Sequence, residues 1–141
     1  MLTLGIETST ADAEIALVED DALLASMPLA TTGRRHARTL VAELQSLFTS
    51  SGRRPAECNA VAVGIGPGSF TGLRVGVVCA KTFAYAVGCP LVAVDTLAAI
   101  ASRAPDLTRD VDVVVDALRD EWFHARYRHD GSAWQRQDDV T

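Results

Sequence analysis

The sequence predicts a mixed α/β fold: a five-stranded sheet with flanking helices, followed by the opening hairpin of a second lobe. Three observations predict it. Three short apolar runs follow one another at the N-terminus. Further on, each strand-like run is separated from the next by a helix-like one. A glycine-rich stretch, GIGPGSFTGLRVG at 64–76, sits at one strand-to-helix junction. With 141 residues, 48% of them hydrophobic and 22% charged, the chain is long and apolar enough to close such a core.

Residues 2–6, 13–18 and 22–29 read as strands joined by turns at 9–12 and 19–21, which makes an antiparallel meander. From 36 to 51 the apolar positions Ala37, Leu40, Val41, Leu44, Leu47 and Phe48 recur at intervals of three and four, and Gly52 follows as a stop signal. That pattern is an amphipathic helix. Residues 60–65 form a buried-type strand, 72–87 a helix stopped by Gly88, 91–94 a strand, and 96–103 a helix. Strands separated by helices call for parallel pairing through crossovers. A meander followed by this series is the order of a ribonuclease-H-like lobe, here 1–105.

After Pro105 the pattern restarts, and 106–141 reads as the start of a second, truncated lobe. Residues 111–115 form a strand ending in Asp116, and 122–129 alternate as the second arm of a hairpin closed by Asp130 and Gly131. Glu7 and Asp12 at the first hairpin have the same spacing as Asp116 and Glu121 at this one, which suggests a duplicated unit. The tail WQRQDDVT carries no signal of its own.

The glycine-rich junction reads as a structural loop of Gly66, Pro67, Gly68, Ser69, Phe70, Thr71 and Gly72. Pro67 fixes its own φ and the glycines allow a tight reversal, while Ser69 or Thr71 can cap the following helix. Such a turn aims unpaired N–H groups at an anion or a polar partner, yet it lacks the GK[ST] ending of a P-loop. In the helix, Gly72, Gly76, Ala80, Ala84 and Gly88 lie four apart, a small-residue stripe on a helix that is apolar nearly all round. Two readings stand. The chain's own sheet and the helix at 36–51 cover it, or a partner subunit docks there as well.

Net charge −5 disfavours a broadly basic nucleic-acid surface, although Arg34, Arg35 and Arg38 form a local patch of the kind a solvated helix start also carries. Cys58, Cys79 and Cys89 are odd in number, without a CxxC pair, and read as small core residues in a reducing, cytoplasmic setting. The longest apolar run is broken by Arg74 and Lys81, so no membrane span is expected. There is no HExxH, and no serine or cysteine has a credible base.

GIETST at 5–10, GPGSFTGLRVG at 66–76, VDTLAAIA at 94–101 and DALRDEWFHARY at 116–127 together resemble the TsaB (YeaZ) family of the actin-like ATPase and sugar kinase superfamily. The likeness runs over essentially the whole chain. It implies a non-catalytic partner subunit in bacterial tRNA N6-threonylcarbamoyladenosine modification, one that binds the TsaD transferase and is joined by the TsaE ATPase. It implies no cofactor beyond ATP or ADP at a joint site with TsaD, a homodimer when alone, and tRNA reached only through the complex. TsaD-like enzymes carry two metal-ligating histidines four apart in the segment matching 95–100. Here Thr96 and Ile100 stand there, so no metal and no catalytic residue is expected.

With that partner in view, the expected interface is helical. It takes His36, Leu40, Leu44 and Leu47 from one helix and Arg74, Val75, Gly76, Cys79, Ala80 and Phe83 from the other. Two rivals remain. A metal-dependent ribonuclease-H-like nuclease would use acids among Glu7, Asp12, Asp95 and Asp116. A single-lobe remnant of a superfamily ATPase or kinase would keep Glu7, Thr8, Ser9 and Thr10 as a phosphate loop.

Overall fold

The computed structural model describes residues 1–29, 36–105, 109–118, 120–138 and 140–141. Strands β1 (Leu2–Glu7), β2 (Glu14–Glu19) and β3 (Ala22–Pro28) pair antiparallel, while β4 (Ala60–Gly64) and β5 (Leu91–Val94) add in parallel on the other side of β1. The order β3-β2-β1-β4-β5 is the mixed five-stranded sheet that the sequence predicts. Alternation decides which face is covered. Leu2, Leu4 and Ile6 of β1 point the same way as Ile15, Leu17, Val61 and Val63, and this apolar face receives α1 (His36–Ser51) and α2 (Phe70–Val87). Phe48 and Phe83 stack with ring centroids 5.7 Å apart.

Helix α2 begins two residues before the predicted start because Ser69 is its N-cap, accepting a hydrogen bond from Gly72 N at 3.2 Å. It ends where predicted, at Gly88 with φ 78°, a left-handed cap that glycine adopts without strain. By length and composition α2 is apolar enough to cross a membrane, with mean hydropathy 1.2 over 18 residues. In the fold 22% of it is buried, namely the small stripe Gly72, Gly76, Ala80 and Ala84, which lies against the chain itself.

Helix α3 (Thr96–Ala101) is two residues shorter than predicted, and it packs on a second sheet rather than on the first. Leu97 and Ala101 cluster with Val113, Ala125 and Tyr127 of strands β6 (Asp110–Leu118) and β7 (Glu121–His129). The predicted hairpin is present, with a correction. Asp130 and Gly131 do not end it but turn the chain into a third antiparallel strand, β8 (Trp134–Arg136), inside the segment that the sequence left without structure. Asp130 Oδ1 accepts from Ser132 N and Ala133 N at 2.8 and 2.9 Å, a side-chain-built turn. Asp95, the N-cap of α3, takes a 3.0 Å hydrogen bond from Tyr127 Oη and an ion pair from Arg136, so it ties α3 to β7 and β8.

The second sheet also carries an acid sensitivity. Backbone N–H groups of Ala133 and Ser132 hold the Asp130 carboxyl well below the ordinary carboxylate range, and hydrogen bonds from Arg126 and then His124 lower Asp112. Carboxyls depressed in the folded state stabilise it above their unfolded pKa, and that contribution is lost as pH falls through the folded value. Both tryptophans, Trp122 and Trp134, lie in this sheet. On acidification from about pH 5 to about pH 2, tryptophan fluorescence is expected to change before helical far-ultraviolet ellipticity is lost. Coincident transitions, or helix loss first, would contradict this.

Candidate functional site

Two features of the five-stranded unit hold the residues singled out from the sequence. The first is the glycine-rich junction after β4, and its glycines have a specific cause. The turn leaving β1 lies directly on them. A Cβ on Gly68 would stand 2.2 Å from Ser9 O, one on Gly72 2.0 Å from Thr8 O, and one on Gly76 2.1 Å from Thr8 Oγ1. Hydrogen bonds fix the contact: Ser69 N donates to Ser9 O at 2.7 Å and Thr8 Oγ1 donates to Gly72 O at 2.8 Å. Pro67 follows a cis peptide bond at Gly66, whose φ is 88°. Thr71 and Phe70 sit exposed on the first turn of α2, and the Arg74 guanidinium lies 5.6 Å from the centroid of the Phe70 ring.

The same turn carries the four residues considered as a phosphate loop. Thr8 and Ser9 are buried, while Glu7 and Thr10 are half-buried. Glu7 Oε1 accepts from Ser9 N at 2.6 Å and Oε2 from Thr96 Oγ1 at 2.8 Å, with Gly66 N donating to Thr96 Oγ1 at 3.1 Å. Within the turn, Ser9 N is engaged by the Glu7 carboxylate, Thr8 Oγ1 by Gly72 O and Ser9 Oγ by Thr96 Oγ1, so a phosphate reaching Ser9 N would have to displace a negative charge. Glu14 of β2 lies directly opposite Glu7 of β1, and both line a cleft of about 230 Å3 on the sheet face away from α1 and α2. Among the described residues no three of His, Cys, Asp and Glu come together as a metal-holding group. Of the acids weighed for a nuclease, Asp95 is committed to the α3 cap and to Tyr127 and Arg136.

The second feature is an open apolar groove of about 590 Å3 between α1 and α2. Leu40, Val41 and Leu44 form one wall; Arg74, Val75, Val78, Cys79 and Phe83 form the other, extended by Thr71, Thr82 and Ala86. Large apolar side chains here face water, Val41 at 69% and Val78 at 63% exposure, and burial pushes the Cys79 thiol up. Covering such a patch removes apolar surface from water at about 25 cal/mol per Å2.

The structure sorts the expected interface residues into two groups. Leu40, Leu44, Arg74, Val75, Cys79 and Phe83 line the groove, Leu40 and Leu44 nearly buried in its floor. Leu47, Gly76 and Ala80 lie instead in the chain's own core, Leu47 and Ala80 fully buried and Gly76 against Thr8, and they do not line the groove. The small stripe of α2 is thus the face that meets its own sheet and the β1 turn, and the exposed apolar surface lies round the helix from it. His36 opens α1, but its side chain and that of Arg38 lie outside the described residues, as do Arg34 and Arg35 altogether. Val41 counts in the sequence only as an apolar position of α1, and Val78, Thr82 and Ala86 are not among the expected interface residues. Their signal was there, since 71, 74, 75, 78, 82 and 86 recur at the helical interval.

Comparison with known proteins places this arrangement. Residues 28–139 match the family model described as TsaD, tRNA N6-adenosine threonylcarbamoyltransferase. The chain is 35% identical over 133 residues to the tRNA threonylcarbamoyladenosine biosynthesis protein TsaB of Escherichia coli (strain K12), covering 92% of this chain and 56% of that protein. It is 38% identical over 111 residues to the tRNA N6-adenosine threonylcarbamoyltransferase of Solidesulfovibrio magneticus, covering 69% of this chain and 30% of the enzyme. The structure superposes on YeaZ from Pseudomonas aeruginosa with TM-score 0.86 and 27% identity, over 99% of this chain and 66% of that one. The chain thus spans about 52% to 66% of the length of the TsaB and YeaZ relatives it matches. With the glycine junction inside the residues that the family model matches and the whole fold superposing on YeaZ, the chain belongs to the TsaB/YeaZ family of TsaD-related proteins.

Proposed function

We propose that this chain is a partner subunit in tRNA N6-threonylcarbamoyladenosine biosynthesis, docking the TsaD transferase homologue through the α1/α2 groove and transferring no group itself. The apolar groove in a chain of this family is the observation that carries the reading. In the full assembly the TsaE ATPase joins, tRNA is met only through the complex, and ATP or ADP is held only at a joint site. Alone, the chain pairs with itself through the same face. It works in the cytoplasm and off the membrane, in keeping with three free cysteines and a core-packed α2. Residues 1–105 act as the lobe that docks and 106–141 as the start of a second lobe.

The absence of a catalytic role is supported by residue chemistry. Thr96, at one of the two positions where the related enzymes carry a metal-binding histidine, spends its hydroxyl on Glu7 and Gly66, and Ile100 at the other has no donor atom. His124 binds Asp112 and His129 packs against Trp134, both in the second sheet. A reconstituted transfer assay tests the reading. The chain alone is expected to modify no tRNA and to hold no stoichiometric zinc or iron by elemental analysis, while its addition raises the output of the TsaD homologue from the same organism. Transfer by the chain alone, or an unchanged rate with TsaD, would contradict it.

A further inference from the structure

We propose that Arg74 makes the groove selective, favouring a partner that presents a carboxylate at this wall over a second copy of the chain. This rests on the reading of the groove as the docking surface. Arg74 is the one charged residue among the described residues lining the groove, the rest being apolar, hydroxyl or thiol. It forms no ion pair among the described residues, as Arg103 and Arg109 form none, whereas Arg53, Arg54, Arg126, Arg128 and Arg136 each pair with a carboxylate. Its guanidinium is instead propped on the exposed Phe70 ring, 5.6 Å from the centroid, at the end of the groove nearest the start of α2.

The two helices offer it no acid. α2 contains Arg74 and Lys81 and no carboxylate, and the single acid of α1, Glu43, does not line the groove and has one carboxylate oxygen buried. Two copies docking through this face would present the same residues to each other, as a two-fold interface requires. Each Arg74 would then lose water against apolar surface or its own counterpart. A partner with an Asp or Glu at that point supplies a charge-assisted, two-pronged hydrogen bond in the same place. Selectivity then comes as much from the penalty on the wrong partner as from the gain on the right one.

The test is Arg74→Gln, with Arg74→Lys as the charge-keeping variant and melting to confirm folding, since Arg74 is exposed. Sedimentation equilibrium of the full chain measures self-association, and calorimetry measures binding of the TsaD homologue at low and high salt. Arg74→Gln is expected to weaken TsaD binding by about tenfold and flatten its salt dependence, while self-association stays the same or tightens. Arg74→Lys should recover part of the TsaD affinity. If Arg74→Gln weakens self-association as much as TsaD binding, or leaves TsaD binding unchanged, the selectivity is overturned even though the groove reading stands. If Val78→Asp changes neither association, the groove reading itself fails and this inference with it.

Discussion

Gly72→Ala is expected to cost on the order of 3 kcal/mol of stability, with a fall in melting temperature on the order of 10 °C. In a solvent-facing helix the same change would stabilise by about 1 kcal/mol, because alanine is the better helix former. Here the new methyl would sit 2.0 Å from the backbone oxygen of Thr8, an atom fixed in a buried turn. The clash wins over propensity because a main-chain atom cannot rotate away. Gly76→Ala differs in kind, since the nearest atom, 2.1 Å away, is the Thr8 hydroxyl at the end of a side chain. Thr8→Ala is therefore expected to restore part of the stability lost in Gly76→Ala and none of that lost in Gly72→Ala. Thermal melts of the four variants decide it. A Gly72→Ala protein melting at or above the parent temperature would show that the β1 turn does not rest on α2.

The contrast between those glycines shows where sequence reading stopped. Periodicity placed α1 at its observed bounds and β5 as well, because both are long or apolar enough for neighbours to set their limits. Strand β8 escaped because three residues carry no period, and its pairing depends on a turn that Asp130 builds from its own side chain. The small stripe on α2 was legible as a close approach, but not what approaches. Thr8 is more than sixty residues away in sequence, and only folding brings it beneath Gly72 and Gly76. From sequence alone the buried Ala80 and the exposed Val78 read alike, as small or apolar positions of one helix. A helix apolar on two sides gives no sign from its sequence of which side the chain keeps for itself.

Val78→Asp is expected to fold normally and to weaken association with the TsaD homologue by about 2 kcal/mol or more, at least about thirtyfold. Val78 is 63% exposed, so the carboxylate stays in water in the free chain and its folding cost is small. In the complex the same group would be pressed into an apolar contact and desolvated. Ala80→Arg does not test the same point, because Ala80 is fully buried and the variant would lose its fold before its partner.

Calorimetric titration of the TsaD homologue into the parent chain, Val78→Asp and Leu23→Asp is the most direct measurement of the central claim. Leu23 is an equally exposed apolar residue, at 64%, on the edge strand β3 and outside the groove. Parent-like binding by Leu23→Asp together with loss of binding by a folded Val78→Asp is the predicted result. Undiminished binding by Val78→Asp would contradict the assignment of the α1/α2 groove as the docking surface.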